Sequence, residues 1–215
     1  LKNPLSSLRS AAETISHIND PAQQQRLMDV ILKDVARLDR LISDISQASR
    51  VDNEIVSNSG QLIDLSKLVD SFVQTRQATT ESHTLLQRMP DAPIEVVIHD
   101  SRVVQVLDNL LGNAVSFAPE GTEITFDLSV DEVKNCAILE LQDRGPGIPA
   151  GRLEAIFDRF YSERPPNEEF GEHSGLGLSI ARQIIQGHGG ELTASNRNGA
   201  CFTMSLPLAA RRTAD

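Results

Sequence analysis

The sequence Asn109-Leu110-Leu111-Gly112-Asn113-Ala114 carries two asparagines four positions apart. Residues 102–117 repeat apolar side chains at helical spacing, so both asparagines are predicted to lie on one helix. Side chains at this spacing project from the same helix face. Two amide oxygens there are neutral, hard ligands that suit a Mg²⁺ ion carrying phosphate oxygens and water. The alternative is a pair of helix-surface amides with no role.

The sequence Ser174-Gly175-Leu176-Gly177-Leu178 opens a helix predicted over Ser174–Gln186. Backbone N–H groups at a helix N-terminus bind anionic phosphate, and glycine removes side-chain obstruction there. The sequence lacks the Gly-Lys-Ser/Thr ending of a Walker loop. It therefore predicts a phosphate-binding loop of another type. His173, just before it, is interpreted as solvated, with phosphate contact as the alternative.

Two further loops lie between these motifs. Asp143-Arg144-Gly145-Pro146-Gly147-Ile148 follows a predicted strand, although this glycine spacing is also ordinary turn chemistry. Ile156-Phe157-Asp158-Arg159-Phe160-Tyr161 closes a short predicted helix and precedes a run to His173 that is interpreted as a mobile lid. Taken in order within residues 109–178, the four motifs resemble the N, G1, F and G2 boxes of the ATP-binding domain of sensor histidine kinases.

The resemblance implies a site for Mg·ATP with adenine specificity. Asp143 would accept a hydrogen bond from the exocyclic amine of adenine, where guanine presents a carbonyl. Gly145 and Gly147 would let the backbone approach the base without a Cβ atom in the way.

The Ile156–Tyr161 motif contains one cation and two phenylalanine rings whose roles have to be distinguished. Arg159 is a candidate γ-phosphate contact, with an exposed salt bridge as the alternative. Phe157 and Phe160 are interpreted as hinge or core packing, ahead of ligand contact. The nucleotide-binding candidates are Asn109, Asn113, Phe117, Asp143, Gly145, Gly147, Ile148, Arg159, Phe160, Ser174, Gly175, Leu176, Gly177 and Leu178, and the Mg²⁺ candidates are Asn113 and Asn109.

The family pattern also distinguishes transfer from hydrolysis. In related ATPases and chaperones the first asparagine position is a glutamate that activates water, and Asn109 cannot act as a general base. The sequence departs from the kinase pattern at Ser116, where Lys or Arg is usual, at Ala200, where Thr is usual, and by lacking a glycine two residues before Gly175.

Residues 1–56 are predicted to form a helical hairpin. The first helix should end near Ile18, because Asn19-Asp20-Pro21 is turn chemistry, and the second is predicted from about Ala22 to Val51. Two helices alone bury too little surface, so we expect a homodimeric four-helix bundle. The first apolar stripe consists of Leu1, Leu5, Leu8, Ala12 and Ile15.

The opening Leu1-Lys2-Asn3-Pro4-Leu5 resembles the tail of the family's phosphoacceptor motif, His-Glu-Leu-Lys-Asn-Pro-Leu. That histidine would lie two residues before Leu1, so this fragment alone is expected to bind nucleotide without autophosphorylating. Asn3 matches an amide that, by the resemblance, positions water for dephosphorylating a partner's phospho-aspartate. A local role for Asn3 beside the helix-bending Pro4 is equally open.

Residues 61–208 are predicted to form the ATP-binding domain, after a linker over Asp52–Gly60. Strands alternating with helices indicate an α+β fold, a two-layer α/β sandwich, and the resemblance implies the Bergerat (GHKL) type. A helix is predicted at Leu65–Gln77, and strands at Ile94–Ile98, Thr122–Val130, Cys136–Leu141, Glu191–Ser195 and Cys201–Leu206.

The net charge and the distribution of apolar residues limit the classes of binding partner that we expect. A formal net charge of -10 and a pI near 5.0 argue against nucleic acid. No apolar run approaches the ~18 residues that span a bilayer. The resemblance implies a cytoplasmic domain whose parent is anchored in the inner membrane, with the anchor upstream of Leu1. Cys136 and Cys201 are interpreted as buried, reduced thiols.

These observations predict an ATP:protein-histidine phosphotransferase core that docks a response-regulator receiver domain. The alternative is a non-catalytic receiver-binding dimer or phosphatase with a vestigial nucleotide site, which the departures at Ser116 and Ala200 motivate. An ATPase of the same fold is a third hypothesis, against which Asn109 argues.

Overall fold

The structure is a computed structural model that describes residues 4–15, 18, 20–32, 35, 38, 60–161 and 175–210. In its N-terminal part, helix α1 spans Pro4–Ile15, and helix α2 covers residues 21–32, with helical backbone also at 35 and 38. Helix α2 begins at Pro21, one residue earlier than predicted, since the first helical position needs no backbone N–H. Asp20 caps it by accepting a 3.0 Å hydrogen bond from Ala22 N.

The remaining described residues form two sheets. The small one pairs β1 (Gln61–Asp64) antiparallel with β3 (Glu95–Ile98). The large one contains five strands in the spatial order β2-β4-β5-β7-β6, in which β2 runs parallel to β4 and the other neighbours are antiparallel. Its strands are β2 (Thr84–Arg88), β4 (Glu123–Asp131), β5 (Cys136–Gln142), β6 (Glu191–Asn196) and β7 (Ala200–Pro207).

Three helices bury their apolar faces together with one face of the large sheet: α3 (Leu65–Gln77), α4 (Asp100–Phe117) and α5 (Gly177–Gly187). On β4, alternate residues Ile124, Phe126 and Leu128 are buried, which is the pattern of a sheet with one covered face. Helix and strand residues join in one hydrophobic cluster. The predicted α+β, two-layer architecture is therefore confirmed.

Two strands escaped the sequence analysis. Strand β2 buries only Leu85, and strand β1 has no buried residue, so neither shows the alternation that predicts a strand. These two strands are defined by their backbone hydrogen bonds instead, since β2 pairs with β4 and β1 pairs with β3. Along the described residues, no helix is both long and apolar enough to cross a bilayer.

The predicted start of α5 at Ser174 is wrong, because the helix begins at Gly177. Gly175 has a φ of +72°, a left-handed conformation that cannot belong to a right-handed helix. Leu176 is the capping residue, and its carbonyl accepts a 2.8 Å hydrogen bond from the Ser179 hydroxyl. The glycine pair therefore straddles the helix start.

Candidate nucleotide-binding site

Helix α4 holds the two asparagines on one partly buried face. Asn109 Nδ2 donates a 3.0 Å hydrogen bond to the Gly177 carbonyl, and Asn113 Nδ2 donates a 2.8 Å bond to the Asn109 carbonyl. Since a carbonyl oxygen only accepts, both amide orientations are fixed by these bonds. Both Oδ1 atoms therefore lack a hydrogen-bond partner among the described residues.

The start of α5 lies directly against Asn109. A Cβ atom added at Gly177 would come 3.3 Å from Asn109 Oδ1, which is tight. At Gly175 an added Cβ would come 2.8 Å from the Tyr161 carbonyl, and the Gly175 carbonyl accepts a 2.9 Å hydrogen bond from Phe160 N. Both glycines thus permit backbone packing that a larger residue would obstruct.

Asp143 lies just past the end of β5 and is only 2% exposed. Its Oδ1 atom accepts hydrogen bonds from Gly145 N at 2.7 Å and Ala200 N at 3.0 Å. Burial raises the pKa of this carboxyl, and the two backbone hydrogen bonds oppose that rise. The Oδ2 atom has no partner among the described residues, so one buried acceptor remains for a ligand.

The loop after Asp143 packs against the end of α4. A Cβ atom at Gly145 would lie 2.9 Å from the Phe117 carbonyl oxygen. Gly147 has a φ of +77°, and Ile148 is nearly buried, at 9% exposed. Helix α4 therefore contacts the Gly175–Gly177 loop through Asn109 and the Asp143 loop near Phe117, and these two points are eight residues or about 12 Å apart.

The turn between β6 and β7 lies against the same loop, although no sequence motif predicts that this turn borders the site. Asn196 bonds to Ile148 twice, and a Cβ atom at Gly199 would lie 2.2 Å from the Asp143 carbonyl oxygen. Asn196-Arg197-Asn198-Gly199 is typical turn chemistry, so the sequence predicts a hairpin but not what the turn touches.

The segment over residues 154–157 packs against α5. Phe157, in the 3-10 helix Ala155–Phe157, is buried against Phe202 with ring centroids 6.5 Å apart. The Arg182 guanidinium lies 3.9 Å from the centre of the Phe157 ring and 2.5 Å from Glu154 Oε1. The core-packing interpretation of Phe157 is confirmed by this geometry.

Phe160 and Arg159 behave differently. Phe160 is 65% exposed and adopts a φ of +66°, so its interpretation as core packing is wrong. Its backbone N–H donates a 2.9 Å hydrogen bond to the Gly175 carbonyl. Arg159 is exposed and makes no ion pair with a described residue, so the salt-bridge alternative has no partner in that part of the chain.

The end of α5 is hydrogen-bonded to the start of α4 through His188 and His99. His188 Nδ1 donates to the Ile184 carbonyl at 2.8 Å, and its Nε2 accepts a 3.0 Å bond from His99 N, the capping residue of α4. Burial lowers the pKa of His188, and the nearby His99 lowers it further. The pair of bonds requires the neutral imidazole.

Most of the predicted nucleotide site comes together around α4. Gly177 contacts α4 at Asn109, Gly145 of the Asp143 loop lies against Phe117, and Asn113 lies between these two points on the helix. Leu176 is buried and Leu178 partly buried, so both pack at the helix start. The predictions for Asn3, Ser174, His173 and the lid at 162–174 lie outside the described residues.

The donor set fits a magnesium ion that arrives with a nucleotide. Within the described ranges, no cluster of three or more His, Cys, Asp or Glu could hold a metal by itself. The Oδ1 atoms of Asn109 and Asn113 are neutral oxygens that would hold such an ion together with phosphate oxygens and water. Both predicted thiols, Cys136 and Cys201, are free and buried, as the sequence indicates.

Family models match both parts of the chain. Residues 98–210 match the family described as histidine kinase-, DNA gyrase B-, and HSP90-like ATPase, and residues 1–54 match the His Kinase A (phospho-acceptor) domain. The first match includes every described residue of the predicted nucleotide site.

Curated relatives are similar along nearly the whole chain. The sensor protein ChvG of Agrobacterium fabrum is 44% identical over 225 residues, covering 97% of this chain and 37% of the relative. The sensor histidine kinase WalK of Bacillus subtilis is 30% identical over 212 residues, covering 97% of this chain and 34% of the relative. The chain thus spans about a third of the length of these relatives.

Solved structures share the fold. The Acinetobacter baumannii histidine kinase AdeS superimposes with a TM-score of 0.68 at 22% identity, covering 97% of both chains. The catalytic domain of histidine kinase ThkA has a TM-score of 0.58 at 26% identity, covering 68% of this chain and 96% of that one.

Proposed function

The chain belongs to the sensor histidine kinase family, and we propose that it is the ATP-binding kinase core of a two-component sensor. In this proposal it transfers the γ-phosphoryl group of Mg·ATP to a histidine, and from there to an aspartate of a response regulator. The observation that carries the proposal is the Asn109–Gly177 hydrogen bond, because it joins the metal-ligand helix to the phosphate loop.

Adenine would bind near the end of α4 at Phe117, and the phosphates would bind near Asn109 in the middle of that helix. Asp143 Oδ2 is the acceptor for the adenine amine, and the backbone of Gly145 and Gly147 lies beside the base. The N–H groups around Gly177 at the start of α5 would receive the phosphates. Asn109 and Asn113 would hold Mg²⁺, whose contribution when bound is to neutralise charge on the phosphates.

The site favours phosphoryl transfer over hydrolysis. Asn109 carries an amide, which cannot take a proton from water, so no general base stands at this position. The protein's contribution is then to position ATP and a nucleophile supplied from elsewhere. Arg159, exposed beside the lid, is a candidate for the γ-phosphate.

The remaining parts of the proposal concern assembly. The match of residues 1–54 to a phospho-acceptor domain supports a homodimer formed through residues 1–56 and a receiver domain as partner. An ATP-binding domain over residues 61–208 is proposed with it. The cytoplasmic location, the upstream membrane anchor and the phosphatase role of Asn3 stay predictions.

Nucleotide binding is the first test. Isothermal titration calorimetry with ADP and with ATP, each with Mg²⁺ and with EDTA, should show saturable binding that Mg²⁺ strengthens. GDP is the matched control ligand and should bind at least about tenfold more weakly, because Asp143 offers an acceptor to a carbonyl. Absence of ADP binding at millimolar ligand would sink the proposal.

Phosphoryl transfer is the second test. A longer chain that includes the upstream histidine should acquire acid-labile, alkali-stable label from γ-labelled ATP, and a histidine-to-glutamine variant should not. Adding a receiver domain should drain the label from the kinase. Steady phosphate release without labelled histidine would instead identify an ATPase.

A further inference from the structure

The side chain of Asn196 forms an unusual double bridge to one backbone residue. Its Oδ1 accepts a 2.8 Å hydrogen bond from Ile148 N, and its Nδ2 donates a 2.8 Å bond to the Ile148 carbonyl. The two residues are 48 positions apart. The Asn196 amide therefore pairs with both the backbone N–H and the backbone carbonyl of Ile148, as a neighbouring strand would.

The bridge reaches the base end of the nucleotide site. Ile148 closes the loop that begins at Asp143, and an added Cβ atom at Gly147 would lie 2.8 Å from Asn196 Oδ1. A side chain at position 147 would therefore collide with the Asn196 amide, so glycine at this position leaves room for the bridge to Ile148.

The same β6–β7 turn fixes the carboxylate of Asp143. Ala200 N donates to Asp143 Oδ1, and Arg197 Nη1 makes a 2.7 Å ion pair with Glu140 Oε2 on β5. Arg197 and Ala200 thus bond to Glu140 and Asp143, while Asn196 bonds to Ile148. A movement of Ile148 away from this turn would therefore break the Asn196 bridge.

We propose that Asn196 is a positioning residue for purine selectivity, holding the 143–148 loop so that Asp143 Oδ2 meets an amine and not a carbonyl. The inference rests on the proposed nucleotide function. It assigns Asn196 no contact with substrate. Its effect comes through the loop backbone, which borders the space beside the free acceptor oxygen.

Asparagine is the residue type that this arrangement needs. The Ile148 N–H requires an acceptor and the Ile148 carbonyl requires a donor, and a short amide presents both in one plane. Aspartate keeps the acceptor, but it sets a carboxylate oxygen against the Ile148 carbonyl where the amide donated. Alanine leaves both backbone groups of a nearly buried residue without these partners.

The test compares three variants of the same chain by calorimetry with ADP and with IDP, in which a carbonyl replaces the amine of adenine. Asn196→Ala removes both bonds, and Asn196→Asp removes one. Asn198→Gly is the matched control, because Asn198 lies in the same turn, has a φ of +57° that glycine accepts, and bonds to no described residue through its side chain. Thermal unfolding without nucleotide checks that each variant folds.

We expect the wild type to prefer ADP to IDP by at least about tenfold. Asn196→Ala should weaken ADP binding by roughly tenfold and reduce the ADP-to-IDP preference at least about threefold, and Asn196→Asp should reduce the preference at least as much. Asn198→Gly should match the wild type within about twofold. A role confined to stability would weaken both ligands equally and leave the preference unchanged.

The outcomes separate this inference from the proposed function. Failure of the wild type to bind ADP overturns the proposed function. If the wild type binds but Asn196→Ala keeps its preference, or if Asn198→Gly changes as much, only the role of Asn196 is overturned. Should Asn196→Ala not unfold cooperatively, Asn196→Asp decides by the same preference criterion.

Discussion

Asn109 Nδ2 lies 3.0 Å from the carbonyl oxygen of Gly177, which joins the middle of α4 to the first residue of α5. The bond uses the amide N–H group, and the amide oxygen has no hydrogen-bond partner among the described residues. One asparagine is therefore placed to serve two purposes, as a brace between helices and as a metal ligand.

We predict that Asn109→Ala separates these purposes. Loss of the neutral hydrogen bond should lower the free energy of unfolding by about 1 kcal/mol without nucleotide. In the same variant, the gain in ATP affinity that Mg²⁺ confers should largely disappear. Urea denaturation and calorimetry with Mg²⁺ or EDTA measure the two effects. A variant whose Mg²⁺-dependent gain equals that of the wild type would contradict the metal-ligand role.

Asp143→Asn should exchange the preferred base. The variant keeps an oxygen for the bonds from Gly145 and Ala200, but presents an amide N–H where the wild type has a free carboxylate oxygen. A carbonyl at the purine 6-position should then be preferred to an amine. Competition calorimetry should give tighter binding of IDP than of ADP, and unchanged preference for ADP would rule out Asp143 as the base contact.

The same variant should also change how stability depends on pH. Because burial raises the pKa of Asp143 above its ordinary value of 3.8, the folded state binds the proton more tightly than the unfolded state. Ionisation thus destabilises the fold, increasingly as pH rises above about 4. Asp143→Asn should be more stable than the wild type near neutral pH, with the difference shrinking toward pH about 4. Thermal unfolding of both proteins across this range is the measurement.

His188 should make the domain sensitive to mild acid. Its pKa is lowered from 6.5 in the folded state, so the neutral form stabilises the protein above that pH and the contribution is lost as pH falls below it. Protonation removes the Nε2 acceptor from His99 N. Between about pH 7.5 and 5.5, the wild type should lose more stability than His188→Gln, whose amide stays neutral. Parallel stability curves would show that His188 is not the titrating group.

Arg182 should stabilise through the Phe157 ring more than through its ion pair. The Arg182 side chain is 20% exposed, whereas that of Glu154 is 82% exposed and well screened. We predict that Arg182→Met lowers the unfolding free energy by about 1–2 kcal/mol, while Glu154→Gln has a smaller effect that vanishes in high salt. Urea denaturation at two salt concentrations compares the variants, and equal losses would argue for the ion pair.

Motifs with a chemical reason for their spacing were predictable. Asn109 and Asn113 need only helical periodicity to share a face, and the Asp143 loop needs only a strand before it. Strands β1 and β2 were missed because their side chains carry little of the core, so backbone pairing alone defines them. The start of α5 was misplaced because its sequence does not show that Gly175 turns left-handed.

Residue types and local spacing predicted the two-layer fold and a set of candidate nucleotide contacts, and the four ordered motifs indicated the kinase family by resemblance. The packing of distant elements, in contrast, produced the two hydrogen bonds between Asn196 and Ile148, the position of Arg182 over the Phe157 ring and the hydrogen bond from His99 N to His188. These contacts join residues far apart in the chain. Short-range periodicity carries no information about them, because the sheet order and helix packing set which distant residues meet.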